Sequence, residues 1–231
     1  MFWVLTGIAA ACLVGSLVGV ALTTRAYTNS SPTMENTLHI GDRLLVSKGA
    51  GIRRGDIVVM QIPKLAPAGN DTFVKRVIGL PGDHVACCDA DGRVTVNGKA
   101  LNETYLTAGT VPSTIKFSVT LSSSQIWVLG DNRAVSMDSR EWGPVPRADV
   151  VGPVLAITRD GSFTSIRTPQ TYVSDGLAPS DSRTPVFVVL LAVSGAAVVL
   201  LLILLVTGIV RTIIRHRRRP AQSGFQSGFQ P

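Results

Sequence analysis

Two long runs of residues without charge lie near the two ends of the chain. Residues 1–24 contain no charged side chain, and neither do residues 186–210. Because about 20 apolar residues cross a bilayer as a helix, both runs predict membrane-spanning helices. A cleavable signal peptide is the alternative for the first run, but no Lys or Arg precedes its apolar stretch, and the stretch is long for such a peptide. We therefore interpret residues 1–24 as an N-terminal transmembrane anchor.

The segment between these runs, residues 25–157, has the pattern of an antiparallel β domain. Short β-branched runs alternate with turn pairs such as Gly-Asp, Asp-Gly and Asn-Gly, and no stretch has the 3.6-residue apolar period of a helix. The predicted strands cover residues 43–46, 56–60, 73–78, 93–96, 125–129 and 150–157. The predicted fold class is therefore mostly β, an antiparallel sheet or barrel-like domain flanked by two transmembrane helices.

The two remaining segments are polar. Residues 158–185 are rich in Pro, Ser and Thr, which predicts a linker to the second transmembrane helix. Residues 211–231 form a basic tail that contains the repeat SGFQSGFQ, to which we assign no role.

The distribution of charge favours a membrane over a nucleic acid as partner. The formal net charge is +7, and five Arg within residues 211–219 leave only +2 for the rest of the chain. A basic cluster directly after an apolar run is typical of the cytoplasmic side of a membrane protein and can contact anionic lipid. We therefore predict membrane lipid and no nucleic acid as a partner. Both termini would be cytoplasmic, with residues 25–183 on the outer side.

The cysteines and histidines carry little chemistry in this pattern. Cys87 and Cys88 are adjacent, so we expect no disulfide between them, and no second Cys or His pair accompanies them as a zinc site would require. The three histidines lie in unrelated contexts, which argues against a Ser-His-Asp triad.

A lysine in an apolar strand is the first candidate for catalysis. Lys75 shares one face of its predicted strand with Phe73 and Val77. Such a lysine usually extends to solvent, and Asp138 with Arg140 can be an ordinary surface ion pair. If the face is buried, desolvation lowers the lysine pKa, and the amine can then act as a general base on a hydroxyl nucleophile.

Five segments in order resemble the motifs of type I signal peptidases, the S26 family of serine endopeptidases that use a Ser/Lys dyad. They follow a predicted N-terminal span, and the resemblance covers about residues 1–157. The segments are SPTMENTL (31–38), GDRLLV (41–46), RRGDIVV (53–59), KRVIGLPGD (75–83) and GDNRAVSMDSREWGPVP (130–146).

The resemblance implies a β-rich domain on the outer face of the bacterial plasma membrane. That domain would cleave signal peptides from exported preproteins after small residues, without a metal or organic cofactor. Lys75 would be the general base, Ser136 would orient its amine, and Asp138 with Arg140 would brace the site. The loop 130–133 would present these residues, and the Ser31 hydroxyl would help to form the oxyanion hole.

The sequence departs from the family at the nucleophile. The family pattern Ser-x-Ser-Met-x-Pro-Thr stands here as Ser31-Pro-Thr33-Met-Glu-Asn36-Thr. Thr33 keeps the hydroxyl, but its methyl group restricts the side chain and adds bulk beside the attacked carbonyl. Three interpretations follow: Thr33 is the nucleophile, the domain is weak or inactive, or Ser31 or Ser30 attacks in a shifted register.

The predicted function is thus signal-peptide cleavage by Thr33 and Lys75. The alternative is a catalytically weak or inactive homologue that binds exported chains as a membrane-anchored protein. A soluble self-cleaving regulator of DNA binding, which shares a related Ser-Lys core, conflicts with the two apolar runs and with the lack of a helix-turn-helix pattern. The oligomeric state is left open.

Overall fold

The computed structural model describes residues 2–66, 72–166, 168–169, 171–174, 176–177 and 186–217. The chain consists of two compact units. The first comprises Met1–Val20 and Val189–Pro231, and the second comprises Ala21–Val188. The helices are α1 (Phe2–Thr23), α2 (Ser139–Trp142), α3 (Thr171–Ser174) and α4 (Val186–Arg217). The strands are β1 (Thr24–Thr28), β2 (Arg43–Ser47), β3 (Ile57–Met60), β4 (Phe73–Gly79), β5 (His84–Cys87), β6 (Val94–Val96), β7 (Lys99–Ala100), β8 (Phe117–Thr120), β9 (Gln125–Leu129), β10 (Val145–Pro146), β11 (Val150–Arg159) and β12 (Ser162–Ser165).

Helices α1 and α4 have the length and composition of membrane spans. The apolar windows are Val4–Thr23 and Val189–Ile214, and most of their side chains are not covered by protein. Where the helices meet, Ser194 Oγ donates a hydrogen bond to Ser16 Oγ at 2.6 Å. A hydroxyl pair of this kind satisfies polar groups that lipid cannot satisfy.

The larger sheet is antiparallel and carries most of the segments that resemble the family motifs. Its strand order is β1-β2-β11-β3-β4-β9-β10, with β12 paired to β11. Val150–Pro153 of β11 pairs with β3, and Val154–Thr158 pairs with β2. Two register shifts lie in this strand. Such bulges bend a strand, which allows β11 to pair with both β3 and β2.

The smaller sheet has the order β7-β6-β5-β8 and is also antiparallel. It shares its core with Trp127 of β9, whose ring lies 4.8 Å from the Phe117 ring between centroids. Gly79 ends β4 at this junction, where a Cβ would overlap the Val85 side chain. The predicted fold class, a mostly β domain with two candidate membrane helices, is confirmed.

The segment predicted as a polar linker is partly built into the β domain. β11 runs to Arg159, and β12 pairs with it. Tyr172 and Leu177 are buried in the core of the smaller sheet. Few apolar residues dispersed among Ser, Thr and Pro give no periodic signal, so composition alone did not identify them. Residues 178–185 and the SGFQ repeat lie outside the described residues.

The expectation that Cys87 and Cys88 are not bridged is wrong in this structure. Their sulfur atoms are bonded, and the peptide bond between them is cis.

Candidate active site

A short helical turn presents Thr33. The 3-10 turn Pro32–Met34 begins at Ser31, whose Oγ accepts a hydrogen bond from the Thr33 backbone N–H at 3.4 Å. Pro32 occupies the first position of the turn, where its fixed φ and missing N–H cost nothing. Met34 is fully buried and holds the turn against the sheet.

The second departure from the family pattern has a local explanation. Asn36 has a φ of 73°, in the left-handed region that Asn tolerates and the proline ring forbids. Its Nδ2 donates to Thr107 Oγ1. An asparagine at this position therefore suits the backbone of the loop after Thr33.

Lys75 lies in β4, between β3 and β9, with 3% of its surface exposed. Its Nζ donates a hydrogen bond to Thr33 Oγ1 at 2.8 Å. The pKa of Lys75 is lowered from 10.5 to about 8, chiefly by burial; the charge of Arg140 also lowers it, and Asp138 and Asp131 raise it. A measurable fraction of the amine is therefore neutral near pH 7, beside a hydroxyl group within hydrogen-bonding distance.

Asp138 organises the loop that follows β9. It is fully buried, caps α2, and accepts hydrogen bonds from the Gly130 N–H at 2.9 Å and from Arg140 Nε at 2.8 Å. Burial alone would raise the pKa of Asp138, but the bonds from Arg140 and Gly130 prevail and lower it. Arg140 Nη2 also donates to the Ser136 carbonyl at 3.0 Å. Asp138 and Arg140 therefore form a buried, multiply bonded pair, and their role as a brace stays a prediction.

Ser136 packs so closely against Gly130 that a Cβ atom at position 130 would overlap the Ser136 Oγ atom. The Ser136 hydroxyl is buried and has no hydrogen-bond partner in the described part of the chain. The predicted bond between Ser136 and the Lys75 amine is therefore not formed in this structure, in which the amine bonds Thr33 instead.

Arg76 is a central residue that the sequence analysis missed. Its Nε and Nη2 donate to the two carboxylate oxygens of Asp131 at 2.8 and 2.6 Å. Asp131 also accepts from Thr37 Oγ1 at 2.6 Å. The next residue, Asn132, donates its N–H to the Thr33 carbonyl at 3.1 Å. The 130–133 loop thus holds the Thr33 loop against β4.

The sequence signal that could have identified Arg76 was an arginine directly after Lys75 in an apolar strand. Successive side chains of a strand face opposite sides, so Arg76 had to face a second buried surface.

A cleft of about 550 Å³ opens above the pair of Thr33 and Lys75. Phe73 and Trp142 form one wall, with their rings edge to face and 5.3 Å apart between centroids. The other lining residues include Ser30, Ser31, Leu65, Val135 and Met137. Apolar and polar side chains therefore both line the cleft. Within the described ranges, no three His, Cys, Asp or Glu side chains are grouped to hold a metal ion.

The Arg76–Asp131 pair predicts a large cost for removing the carboxylate. Asp131→Ala leaves a guanidinium buried without its partner, since the Asp131 side chain is 1% exposed and that of Arg76 is 2% exposed. We expect the free energy of unfolding to fall by about 3–5 kcal/mol, measured by denaturant unfolding.

Asp91→Ala is the matched control, because its partner Arg93 is 46% exposed. We expect less than about 1 kcal/mol from this variant. Equal losses in the two variants would show that the buried pair does not hold the loop.

Comparison with known proteins identifies the family. The model of the family described as signal peptidase, peptidase S26, matches residues 1–158. A Synechocystis sp. protein named "Probable signal peptidase I-2" is 37% identical over 167 residues, which cover 64% of this chain and 74% of that protein. Signal peptidase IB of Staphylococcus aureus is 34% identical over 172 residues, or 66% of this chain and 85% of the relative. The crystal structure of a signal peptidase I from Enterococcus faecalis V583 aligns with a TM-score of 0.38 and 29% identity, over 46% of this chain and 97% of that one. The predicted resemblance is confirmed, and the chain belongs to the signal peptidase family, peptidase S26.

Proposed function

We propose that this chain is a membrane-bound endopeptidase that removes signal peptides from exported preproteins, with Thr33 as nucleophile and Lys75 as general base. Family membership supports signal-peptide cleavage by a serine-type endopeptidase at a membrane. The observation that carries the finer proposal is the 2.8 Å hydrogen bond between Lys75 Nζ and Thr33 Oγ1, combined with a Lys75 pKa of about 8.

The first step is acylation. The neutral Lys75 amine takes the proton of Thr33 Oγ1 as that oxygen bonds to the scissile carbonyl carbon. The carbonyl oxygen becomes an oxyanion, which the Thr33 N–H and the Ser31 hydroxyl would stabilise. Lys75 then returns the proton to the leaving nitrogen as the C–N bond breaks. The products are a threonine ester of the signal peptide and the free amino terminus of the mature protein.

The second step is hydrolysis of that ester. Lys75, neutral again, takes a proton from water as the water oxygen attacks the ester carbon, and the proton passes to Thr33 Oγ1 as the ester bond breaks.

Three further residues would support the dyad. We assign Asp138 and Arg140 to bracing the 130–133 loop. Ser136 is our candidate for orienting the Lys75 amine, because its hydroxyl is buried without a partner among the residues described.

The proposed dyad predicts a specific pattern of loss and gain. The measurement is cleavage of a preprotein with an Ala-x-Ala site by the full-length chain in detergent. Thr33→Ala and Lys75→Ala should each lower kcat by at least about a thousandfold. Thr33→Ser should keep or raise it, because the methyl group beside the attacked carbonyl is removed. Thr164→Ala and Lys116→Ala, exposed and remote in sequence, should leave the rate unchanged.

Two results would contradict this proposal in different ways. If the unmodified chain does not cleave but Thr33→Ser does, the protein is a binding homologue with an impaired site. If Ser31→Ala or Ser30→Ala abolishes cleavage while Thr33→Ala does not, a neighbouring serine attacks in a shifted register.

The Lys75 pKa predicts the pH dependence of the reaction. Only the neutral amine accepts a proton, and the folded-state pKa is about 8. Below that value kcat/KM should fall by about tenfold per pH unit, and above it the rate should reach a plateau. Initial rates on a substrate without titratable groups near the cut provide the measurement. A flat profile between about pH 6 and 9 would exclude Lys75 as the base.

We also propose a topology and a division of the chain. Residues 1–24 and 186–210 would span the plasma membrane, residues 25–157 with the segment up to 185 would lie outside, and the basic tail 211–231 would be cytoplasmic. The arginines after the second apolar run support this orientation. Alkaline phosphatase inserted after Ser165 should be active, and the same enzyme fused after Arg217 should not. The reverse result would invert the topology.

A further inference from the structure

The segment after β12 is attached to the β domain at both ends, although it follows the residues that match the family. Near its start, Thr168 Oγ1 donates to Asp56 Oδ1 at 2.6 Å. Near its end, Lys99 Nζ donates to the Gly176 carbonyl at 3.1 Å, and Leu177 is buried. Between these attachments lies Tyr172, with 3% of its surface exposed.

The Tyr172 ring packs on the turn that holds Arg76. A Cβ at Gly55 would lie 2.7 Å from Tyr172 Cε2, so the ring occupies the space that a side chain would need. Gly55 has a φ of 89°, and its carbonyl accepts a hydrogen bond from Arg76 Nη1 at 2.8 Å. Tyr172 therefore covers a backbone group that fixes the arginine.

The Tyr172 hydroxyl makes a second connection to the same arginine. It lies 2.8 Å from the Tyr105 hydroxyl. The two rings are stacked, with an angle of 16° between their planes and centroids 6.5 Å apart. The Arg76 guanidinium carbon lies 4.0 Å from the Tyr105 ring centroid, in the arrangement of a desolvated cation–π contact. The Tyr105 hydroxyl also donates to Glu103 at 2.5 Å.

Glu103 connects Tyr105 to the 130–133 loop. It bonds Arg133, whose Nε donates to the Gly130 carbonyl at 3.0 Å. On the other branch, Arg76 holds Asp131. Both branches end in the 130–133 loop, whose Asn132 N–H bonds the Thr33 carbonyl. Each link is buried or partly buried, which makes such hydrogen bonds strong and costly to break.

We infer that Tyr172 is a positioning residue for the active site, acting through Tyr105 and Arg76 on the loop that holds Thr33. This inference rests on the proposed proteolytic function for its kinetic effect, but not for its structural effect. Loss of the ring would free the turn at Gly55 and the stacked Tyr105. The Thr33 hydroxyl would then be held less firmly beside Lys75, and a misplacement of about 1 Å can cost roughly a hundredfold in rate.

The kinetic test compares three variants of the full-length chain in detergent. Tyr172→Ala should lower kcat by about tenfold with KM within about twofold, because positioning and not binding is lost. Tyr172→Phe keeps the ring on Gly55 and should retain at least about a third of kcat. Val94→Ala opens space in the same core cluster at a fully buried residue outside the path. After correction for the folded fraction it should leave kcat unchanged.

A structural readout separates this inference from the proposed function. Amide hydrogen exchange of residues 130–133 should become about tenfold faster in Tyr172→Ala and stay unchanged in Val94→Ala. If Tyr172→Ala does not fold, Tyr172→Leu replaces it, since it keeps apolar volume but lacks the ring and the hydroxyl. Unchanged exchange in the Tyr172 variant, or equal acceleration in Val94→Ala, overturns the inference. If the unmodified chain cleaves nothing, the proposed function fails, and hydrogen exchange alone decides the role of Tyr172.

Discussion

The buried ion pair between Arg76 and Asp131 is the interaction on which the site depends. Arg76 follows Lys75 in β4, so the two cations point to opposite faces of the strand. Burial works against both charges, but Arg76 has a bidentate carboxylate partner, and the pKa of its guanidinium is raised in spite of burial. Lys75 donates to a neutral hydroxyl, and its pKa falls to about 8. One strand therefore carries a permanent cation that fixes the loop and a neighbouring amine that can lose its proton.

The departures from the family pattern are unequal in their structural consequences. At position 36 the left-handed backbone excludes proline, so asparagine agrees with the local conformation. At position 33 the hydroxyl lies 2.8 Å from Lys75 Nζ, and Ser31 caps the turn that carries Thr33. The effect of the extra methyl of Thr33 depends on the proposed reaction, in which it would lie beside the attacked carbonyl. Sequence and backbone are thus consistent around Thr33.

Local patterns predicted the strands β2, β3, β4, β6, β9 and β11, and missed β1, β5, β7, β8, β10 and β12. The face shared by Phe73, Lys75 and Val77 indicated a desolvated amine, and burial of Lys75 agrees with it. What the sequence did not indicate are contacts between distant segments. Arg76 meets Asp131 across 55 positions, and Tyr105 meets Tyr172 across 67. Such pairs have no spacing rule, because they depend on how the sheets fold over one another. The segment around Tyr172 was also hidden by its polar composition.

The position of β11 in the larger sheet has a consequence for when the site can assemble. The hairpin of β1 and β2 carries Thr33, and the pair of β3 and β4 carries Lys75. β11 lies between β2 and β3 and supplies the ladder hydrogen bonds that join these halves. A chain synthesised only as far as β10 contains both Thr33 and Lys75 but lacks the strand between their supports. Non-local pairing of this kind is late and slow in folding, so we expect Thr33 and Lys75 to be held together only once nearly the whole domain has emerged.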